Sequence, residues 1–531
     1  MKRTSLLFVL LGMSICVSFG CSKQAPISTA RLLLVIAADQ FPYEYGERYR
    51  PLFRGGLKRL YDEGAVFQNA HYQHAITETC PGHASIVTGV HPSRSGIVAN
   101  SWFDRKAKEE VYCVGDSFYE RSPKNLLVSS LPDWVDKASS WNKIFSVSGK
   151  DRASIVLGGK RADAAYWFDN ETGEFRTSWY YQIFSPNWVS RFNDQAHWKK
   201  YFGQLWTPMS EDSLDVSQYG VVNLYPDPFA KKFPHSVGKA TVLPTEDFFS
   251  DIYSSPFVDE LVNDFTIELI RSERLGKNSA FDYLAIGYSA LDTVGHGYGP
   301  NSPEVLDTLL RLDMNLEKLF SFLDVYLGKE RYLVAFTSDH GVQALPEYEA
   351  LLGRKAHRMN ASDVSCPQKV GMVLAEEFGS ADLFLADLYL NRSEIKRKHI
   401  DENLLDQRVV EELQKCEIVE KVWSKRELLE TSASSDTMLA MFKRGFLSSR
   451  SPDFFVQLKK HSLGMTREGT GHGTPYDYDT HVPIIFLGPG ITPQANNTPV
   501  SPVDIAPTLA SLFGVKVPRA IDGEDLSPLL Q

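Results

Sequence analysis

The sequence predicts an α/β fold: a mostly parallel central sheet flanked by helices, with cap insertions between its core elements. Three observations predict it. Residues 31–38 (RLLLVIAA), 281–288 (FDYLAIGY), 331–337 (RYLVAFT) and 482–487 (VPIIFL) are continuous apolar runs, the pattern of strands covered on both faces rather than half solvated. Stretches of helical periodicity, notably 257–275 and 303–327, lie between them. The first three runs each lead into acidic or histidine-bearing segments, at Asp39, at Asp292 with His296, and at Asp339 with His340. Open α/β sheets bind ligands beyond the carboxyl ends of their strands, so an α/β fold would gather these residues on one edge.

The chain has 531 residues, room for one large domain with insertions or for two to three domains. A net charge of −10 without a long Lys/Arg stripe argues against a general nucleic-acid binder. An anionic substrate would therefore need a local positive centre, and a metal ion is one way to supply it. At the N-terminus, Lys2 and Arg3 precede an apolar stretch over 6–17 that is too short to span a bilayer. Ser18-Phe19-Gly20-Cys21 then resembles a bacterial lipobox, with Phe19 departing from the usual small or aliphatic residue. The expectation is a signal peptide at 1–20, a lipid-anchored Cys21 with a tether over 21–29, and export to the periplasm or outer membrane. Ordinary signal-peptidase processing is the alternative. Four cysteines follow: Cys80, Cys113, Cys366 and Cys416. Pairing of neighbours, Cys80–Cys113 and Cys366–Cys416, is the expectation, although three pairings are open to four cysteines.

In chain order, a helix is expected over 51–63, ending near Gly64. Thr77-Glu78-Thr79-Cys80-Pro81-Gly82-His83 follows a polar loop and opens an apolar, helix-like run. Thr79 there reads either as an N-cap or as a hydroxyl beside the free N–H groups of a helix start, where an anion is favoured. Pro81 suits a first turn because its missing N–H would have had no partner. Residues 105–250 are less regular. They hold a strand at 144–148 ending in the charged loop Lys150-Asp151-Arg152, and an aromatic-rich part, 166–206, that reads as a cap or surface insertion. A second insertion is expected over 345–455, with the core resuming at 454–458. His472 lies in the glycine-bounded stretch Gly469-Thr470-Gly471-His472-Gly473, and a last helix is expected over 501–512.

Asp and His residues without matching cysteines suit zinc or a similar divalent ion. Asp292 and His296 are four apart, so one helical turn could present both to one metal. Singly, each is more often a turn, cap or loop residue. Together, at strand ends and in a glycine-bounded loop, the six point to a two-metal site.

These segments resemble the alkaline phosphatase superfamily, and within it the single-chain bacterial alkaline phosphatases of the PafA type. The resemblance rests on the strand ending in Asp39, Thr-Glu-Thr-Cys-Pro-Gly-His at 77–83, and Gly-Ile-Val-Ala-Asn at 96–100. It continues through Lys-Asp-Arg at 150–152, Asp-Thr-Val-Gly-His at 292–296, Ser-Asp-His-Gly at 338–341 and Gly-His-Gly at 471–473. It implies one catalytic domain over 30–531, with the insertions at about 105–250 and 345–455. It also implies two zinc ions per chain, one held by Asp292, His296 and His472, the other by Asp39, Asp339 and His340 with the oxygen of Thr79. Thr79 would be the nucleophile, forming a phosphothreonine that water hydrolyses. Asn100, Lys150 and Arg152 would hold the phosphoryl oxygens, and the N–H of Cys80 would add a further donor. The implied partners are small-molecule phosphate monoesters, with no nucleic-acid binding as such, and the enzyme is taken as a monomer.

Three rival readings remain open at this stage. A phosphodiesterase or nucleotide pyrophosphatase of the same superfamily would lack the basic pair at 150 and 152. A sulfatase would carry a Cys-x-Pro-x-Arg motif, but here Pro81 directly follows Cys80 and Ala84 stands where the Arg belongs. A non-catalytic surface lipoprotein would use metals only as staples, and such sites normally have four protein ligands.

Overall fold

The computed structural model describes residues 29–209, 216–222, 224, 232–238, 244–432, 437–465 and 469–531. The expected signal peptide and the Cys21 anchor lie outside them. Nine strands form the main sheet: β1 (Leu32–Ala38), β2 (Ala65–Phe67), β3 (Ile144–Ser148), β4 (Ala164–Phe168), β5 (Phe175–Arg176), β6 (Asp282–Tyr288), β7 (Tyr332–Thr337), β8 (Ile484–Leu487) and β9 (Gln494–Asn496). Their order is β9-β2-β8-β7-β1-β6-β3-β4-β5. The central run β7-β1-β6-β3-β4 is parallel throughout, whereas β8 runs antiparallel to both β7 and β2, and β5 antiparallel to β4. In register, Ala37 lies beside Thr337 and Gly287, and Gly287 beside Ser148. Four parallel strands thus release their chains at one level of one edge.

The unbroken apolar run of β1 has a direct cause. Leu32, Leu34, Ile36 and Ala38 enter one core layer. Leu33, Val35 and Ala37 enter the other. Side chains alternate across a strand, so two covered faces require apolar residues at every position. The first layer packs against α1 (Gly56–Glu63), α4 (Phe257–Glu273) and α6 (Pro303–Tyr326). The second packs against α2 (Thr79–Thr88), α3 (Asp151–Gly158) and α7 (Ile505–Leu512).

Several expectations shift. The helix expected over 51–63 begins only at Gly56, after a 3₁₀ turn over Arg50–Leu52. Asp313 on α6 accepts hydrogen bonds from the N–H groups of Arg54, Gly55 and Leu57, each at 2.7 Å. A neighbouring helix therefore supplies the cap that local sequence lacks. The aromatic-rich stretch is not confined to the surface, although Trp179, Ile183 and Phe184 are exposed. Tyr166, Trp188, Phe192, Tyr201 and Trp206 belong to the same core layer as β1, and β3 and β4 are strands of the main sheet, so 105–250 is not one continuous insertion. Phe265 on α4 is the hub, stacked on Phe175 at 4.2 Å and close to Trp188 and Phe192 at 5.2 and 5.0 Å. The strand Phe454–Leu458 does not rejoin the main sheet. It pairs antiparallel with Val419–Ser424 and contributes Phe454 to a separate core with Leu374, Leu405 and Val422. The C-terminal helix starts as a 3₁₀ turn at Pro502–Asp504. Disulfides join Cys80 to Cys113 and Cys366 to Cys416. Among the described residues no helix is long and apolar enough to cross a membrane.

Phe265→Ala should cost about 3–5 kcal/mol, the range for emptying a buried aromatic site. A denaturant midpoint showing a loss under about 1 kcal/mol would mean that the aromatic layer collapses into the gap.

Candidate active site

Each of the four parallel strands turns differently at the shared edge. β1 passes into Asp39, and Gln40 then adopts φ 66°, reversing the chain. Phe41 N–H donates to Ser338 Oγ at 2.9 Å, tying this turn to the end of β7, which continues as Ser338-Asp339-His340. β6 leads into α5 (Ala290–Tyr298), which places Asp292 and His296 one turn apart. β3 leads through Gly149 into Lys150, which occupies the N-cap position of α3. Lys150-Asp151-Arg152 is therefore a helix start and not a charged loop, and Asp151 is drawn away from the site by Arg121 and the Tyr112 hydroxyl, both at 2.7 Å.

Thr79 is the first residue of α2, with Glu78 in the N-cap position and no side-chain cap. The N-cap alternative for Thr79 is thus excluded and its hydroxyl is not spent on the backbone. Gly82 sets how close this helix comes to β7. A Cβ there would stand 2.1 Å from the Asp339 carbonyl oxygen, so only glycine allows the approach.

The metal-suited residues converge in two groups, Asp292 with His296 and His472, and Asp39 with Asp292 and His340. The first is the set expected from sequence. His296 Nε2 and His472 Nε2 lie 3.1 and 3.5 Å from Asp292 Oδ1. The second differs from expectation, because Asp292 rather than Asp339 completes the tight group. Asp339 remains beside it, its Oδ2 3.5 Å from His340 Nε2, while Asp39 Oδ1 is 3.4 Å from that nitrogen. Asp339 Oδ1 accepts from Gln40 N–H at 3.2 Å, and Oδ2 lies 3.2 Å from His83 Nδ1, whose proton goes to the Thr79 carbonyl at 2.8 Å.

Two observations test whether these residues fit a divalent metal. Asp39 Oδ1, Asp339 Oδ2 and His340 Nε2 are buried without a hydrogen-bond partner among the described residues, a costly state for polar atoms that metal ligation relieves. The three imidazoles are also oriented alike. Nδ1 of His296, His340 and His472 faces the carbonyl of Thr470, Gly341 and Thr77 at 2.7, 2.9 and 2.8 Å. A carbonyl only accepts, so Nδ1 carries the proton and Nε2 presents its lone pair to the site, as in histidines that ligate metals. The residues fit.

The electrostatics agree. Burial pushes the Asp39 carboxyl up, and the charges of Asp292 and Asp339 push it further. Burial would also raise Asp292, but the Lys150 ammonium together with His296 and His472 outweighs it and holds the group well below the usual carboxylate range. Lys150 Nζ lies 2.6 Å from Asp39 Oδ2 and also pairs with Asp292 Oδ2. Burial lowers the His472 imidazolium, yet its hydrogen bond to Asp292 and that group's charge lift it to about 9.

The expected phosphoryl donors surround Thr79. Arg152 Nη2 lies 3.5 Å from Thr79 Oγ1. Asn100 Oδ1 accepts from Cys80 N–H at 2.8 Å, and Asn100 N–H donates to Glu78 Oε2 at 2.6 Å. The Cys80 N–H is consequently engaged and is not the free donor expected from sequence. The same bond settles the Asn100 amide orientation, leaving its NH2 group available. Sequence reasoning missed Gln40, whose Nε2 donates to Asp292 Oδ1 at 2.8 Å, and His83 beside Asp339. Gln40 follows Asp39 directly, a position that could have flagged it. His83 shares the 77–83 segment, where helical spacing from Thr79 was the available signal.

Protonated His472 stabilises the metal-free protein fully below its ordinary value of 6.5, and this contribution is lost as pH rises through about 9. A metal requires the neutral ring, so its affinity should strengthen over the same window, by up to about tenfold per pH unit. Competition titrations with a chelator should show this, and a pH-independent affinity would contradict the placement of His472.

Comparison with known proteins follows the same lines. Residues 33–481 match the family model of type I phosphodiesterases / nucleotide pyrophosphatases. The chain is 30% identical to alkaline phosphatase PhoV of Synechococcus elongatus over 100% of both chains. It is 30% identical to alkaline phosphatase PafA of Elizabethkingia meningoseptica over 96% of each. The crystal structure of wild-type PafA superimposes with a TM-score of 0.84 at 28% identity, over 95% of this chain and 100% of that one. With matched residues spanning most of the sheet and every metal-suited position, the chain belongs to the type I phosphodiesterase / nucleotide pyrophosphatase family.

Proposed function

We propose that the protein is a zinc-dependent alkaline phosphatase, a phosphate monoester hydrolase that acts through a phosphothreonine at Thr79 and releases inorganic phosphate. The observation that carries this reading is the Thr79 hydroxyl, at the start of α2 and 3.5 Å from the Arg152 guanidinium, beside two groups of metal-suited residues. Asp292, His296 and His472 would hold one zinc, and Asp39, Asp339 and His340, with Thr79, the other. Bound there, zinc would supply Lewis-acid stabilisation of the attacking and leaving oxygens and would lower the pKa of the threonine hydroxyl.

The chain's own residues do the rest. Thr79 Oγ gives up its proton to solvent and forms a bond to phosphorus while the bond from phosphorus to the alcohol oxygen breaks, and that oxygen takes up a proton from solvent. Water then attacks the phosphothreonine, and Thr79 regains its proton as phosphate departs. Arg152 offers a planar fork to two phosphoryl oxygens, and Asn100 its free NH2. Lys150 adds a point charge. Burial opposes its protonation, but Asp292 and Asp39 raise its pKa, so it stays cationic. Transfer passes through a loose transition state with charge spread over the phosphoryl oxygens, which is where fixed donors act.

A monoester carries more negative charge than a diester, and Asn100, Lys150 and Arg152 supply donors to match it. That donor set supports the monoesterase reading over a phosphodiesterase, the second reading, which the family match keeps in view. The relatives named alkaline phosphatases support the same choice. Against a purely structural role for the metal, each group offers three ligands and so leaves a position open. The expected signal peptide and Cys21 anchor complete the proposal: a catalytic domain over 30–531, monomeric, exported to the periplasm or held at the outer membrane.

The test compares turnover of a nitrophenyl phosphate with that of its methyl diester. The monoester should be preferred, and Arg152→Ala should lower its kcat/KM by about 10²–10³ with a smaller loss on the diester. A clear diester preference, or equal losses on both, would overturn the monoesterase reading.

A further inference from the structure

A cavity of about 220 Å³ lies against His472. Its apolar walls are Phe442, Val456, Leu458, Leu463 and Met465, with Ile76 from the segment before Thr79. The loop Gly471-His472-Gly473 forms the side nearest the metal-suited groups. Besides His472, four polar side chains interrupt the apolar lining: Gln343, Gln457, Ser462 and Thr474. Gln343 is buried, lines the cavity, and has an Nε2 without a hydrogen-bond partner among the described residues. Its backbone is fixed from both sides: the N–H donates to Gly471 O at 3.2 Å and the carbonyl accepts from Thr470 Oγ1 at 2.6 Å. A buried amide donor left unpaired in an apolar pocket is a costly arrangement for the free protein. Apolar walls with a few placed polar groups are also the composition of small-molecule sites.

Position gives the cavity its role. It shares His472 with the group formed by Asp292 and His296, one of the two groups beside Thr79 that the phosphatase reading assigns to stabilising the attacking and leaving oxygens. We propose that this cavity is the leaving-group subsite, and that it takes the organic part of an aryl or similarly compact apolar phosphate monoester carrying a hydrogen-bond acceptor for Gln343 Nε2. The inference rests on the phosphatase reading and adds the substrate class.

Three substrates separate the contributions: methyl phosphate, phenyl phosphate and para-nitrophenyl phosphate. Each serves as its own control between wild type and variant. Val456→Phe narrows the cavity and should lower kcat/KM for both aryl esters about tenfold relative to methyl phosphate. Gln343→Leu should lower para-nitrophenyl phosphate turnover several-fold relative to phenyl phosphate, which offers no acceptor. Equal losses on all three substrates, or unchanged aryl turnover in Val456→Phe, would overturn the subsite. Bound metal and thermal midpoint are measured for each variant. If Val456→Phe does not fold, Ile76→Phe narrows the same cavity from its other wall. Absence of wild-type turnover on every monoester would instead overturn the phosphatase reading, and the subsite with it.

Discussion

Three carboxylates, Asp39, Asp292 and Asp339, are buried together where four parallel strands end, and their charge must be compensated. Isolated charges in a protein interior cost several kcal/mol each even after relaxation. The Lys150 ammonium between Asp39 and Asp292 supplies part of that compensation. Together with His296 and His472 it holds Asp292 down, whereas Asp39 stays pushed up by burial and by its acidic neighbours. Much of the surrounding architecture follows from this constraint. Three imidazoles are fixed with Nε2 inward by backbone carbonyls, Gln40 is bent through a left-handed turn to reach Asp292, and Gly82 admits a helix start against the Asp339 backbone.

That concentration of charge also explains which parts of the molecule were legible in the sequence. β1, β6 and β7 are covered on both faces and therefore had to be written as unbroken apolar runs, and their terminal acids stood out against them. β2 and β9, three residues each, carry no comparable pattern, and their place is set by pairing with β8 and each other. The aromatic stretch over 166–206 was misread because a surface cap and a thick core layer share one composition. Only the position of Phe265 on α4 distinguishes them. The start of α1 was misplaced because its cap, Asp313, lies on a different helix.

The site was legible as a set of residues and less so as a set of partners. All ten expected residues are brought to the same edge, since four adjacent parallel strands and the helix starts beside them admit few other outcomes. Pairwise assignment was a different matter. Asp292 lies close to both groups with Asp339 beside the second, and Asn100 occupies the Cys80 N–H. Both depend on side-chain reach across about 3 Å, a scale that spacing in sequence does not encode. Family membership narrows the chemistry to phosphoryl transfer without choosing between mono- and diesters. The choice rests on Asn100, Lys150 and Arg152, three side chains from two segments.

The central claim is that the Thr79 oxygen becomes bonded to phosphorus during turnover. Acid quenching of the enzyme during turnover of a radiolabelled phosphate monoester, followed by peptide mapping, tests it most directly. Label recovered as phosphothreonine within 77–83, and absent from Thr79→Ala, is the predicted result. Undiminished turnover by Thr79→Ala, or label on another residue, would contradict it.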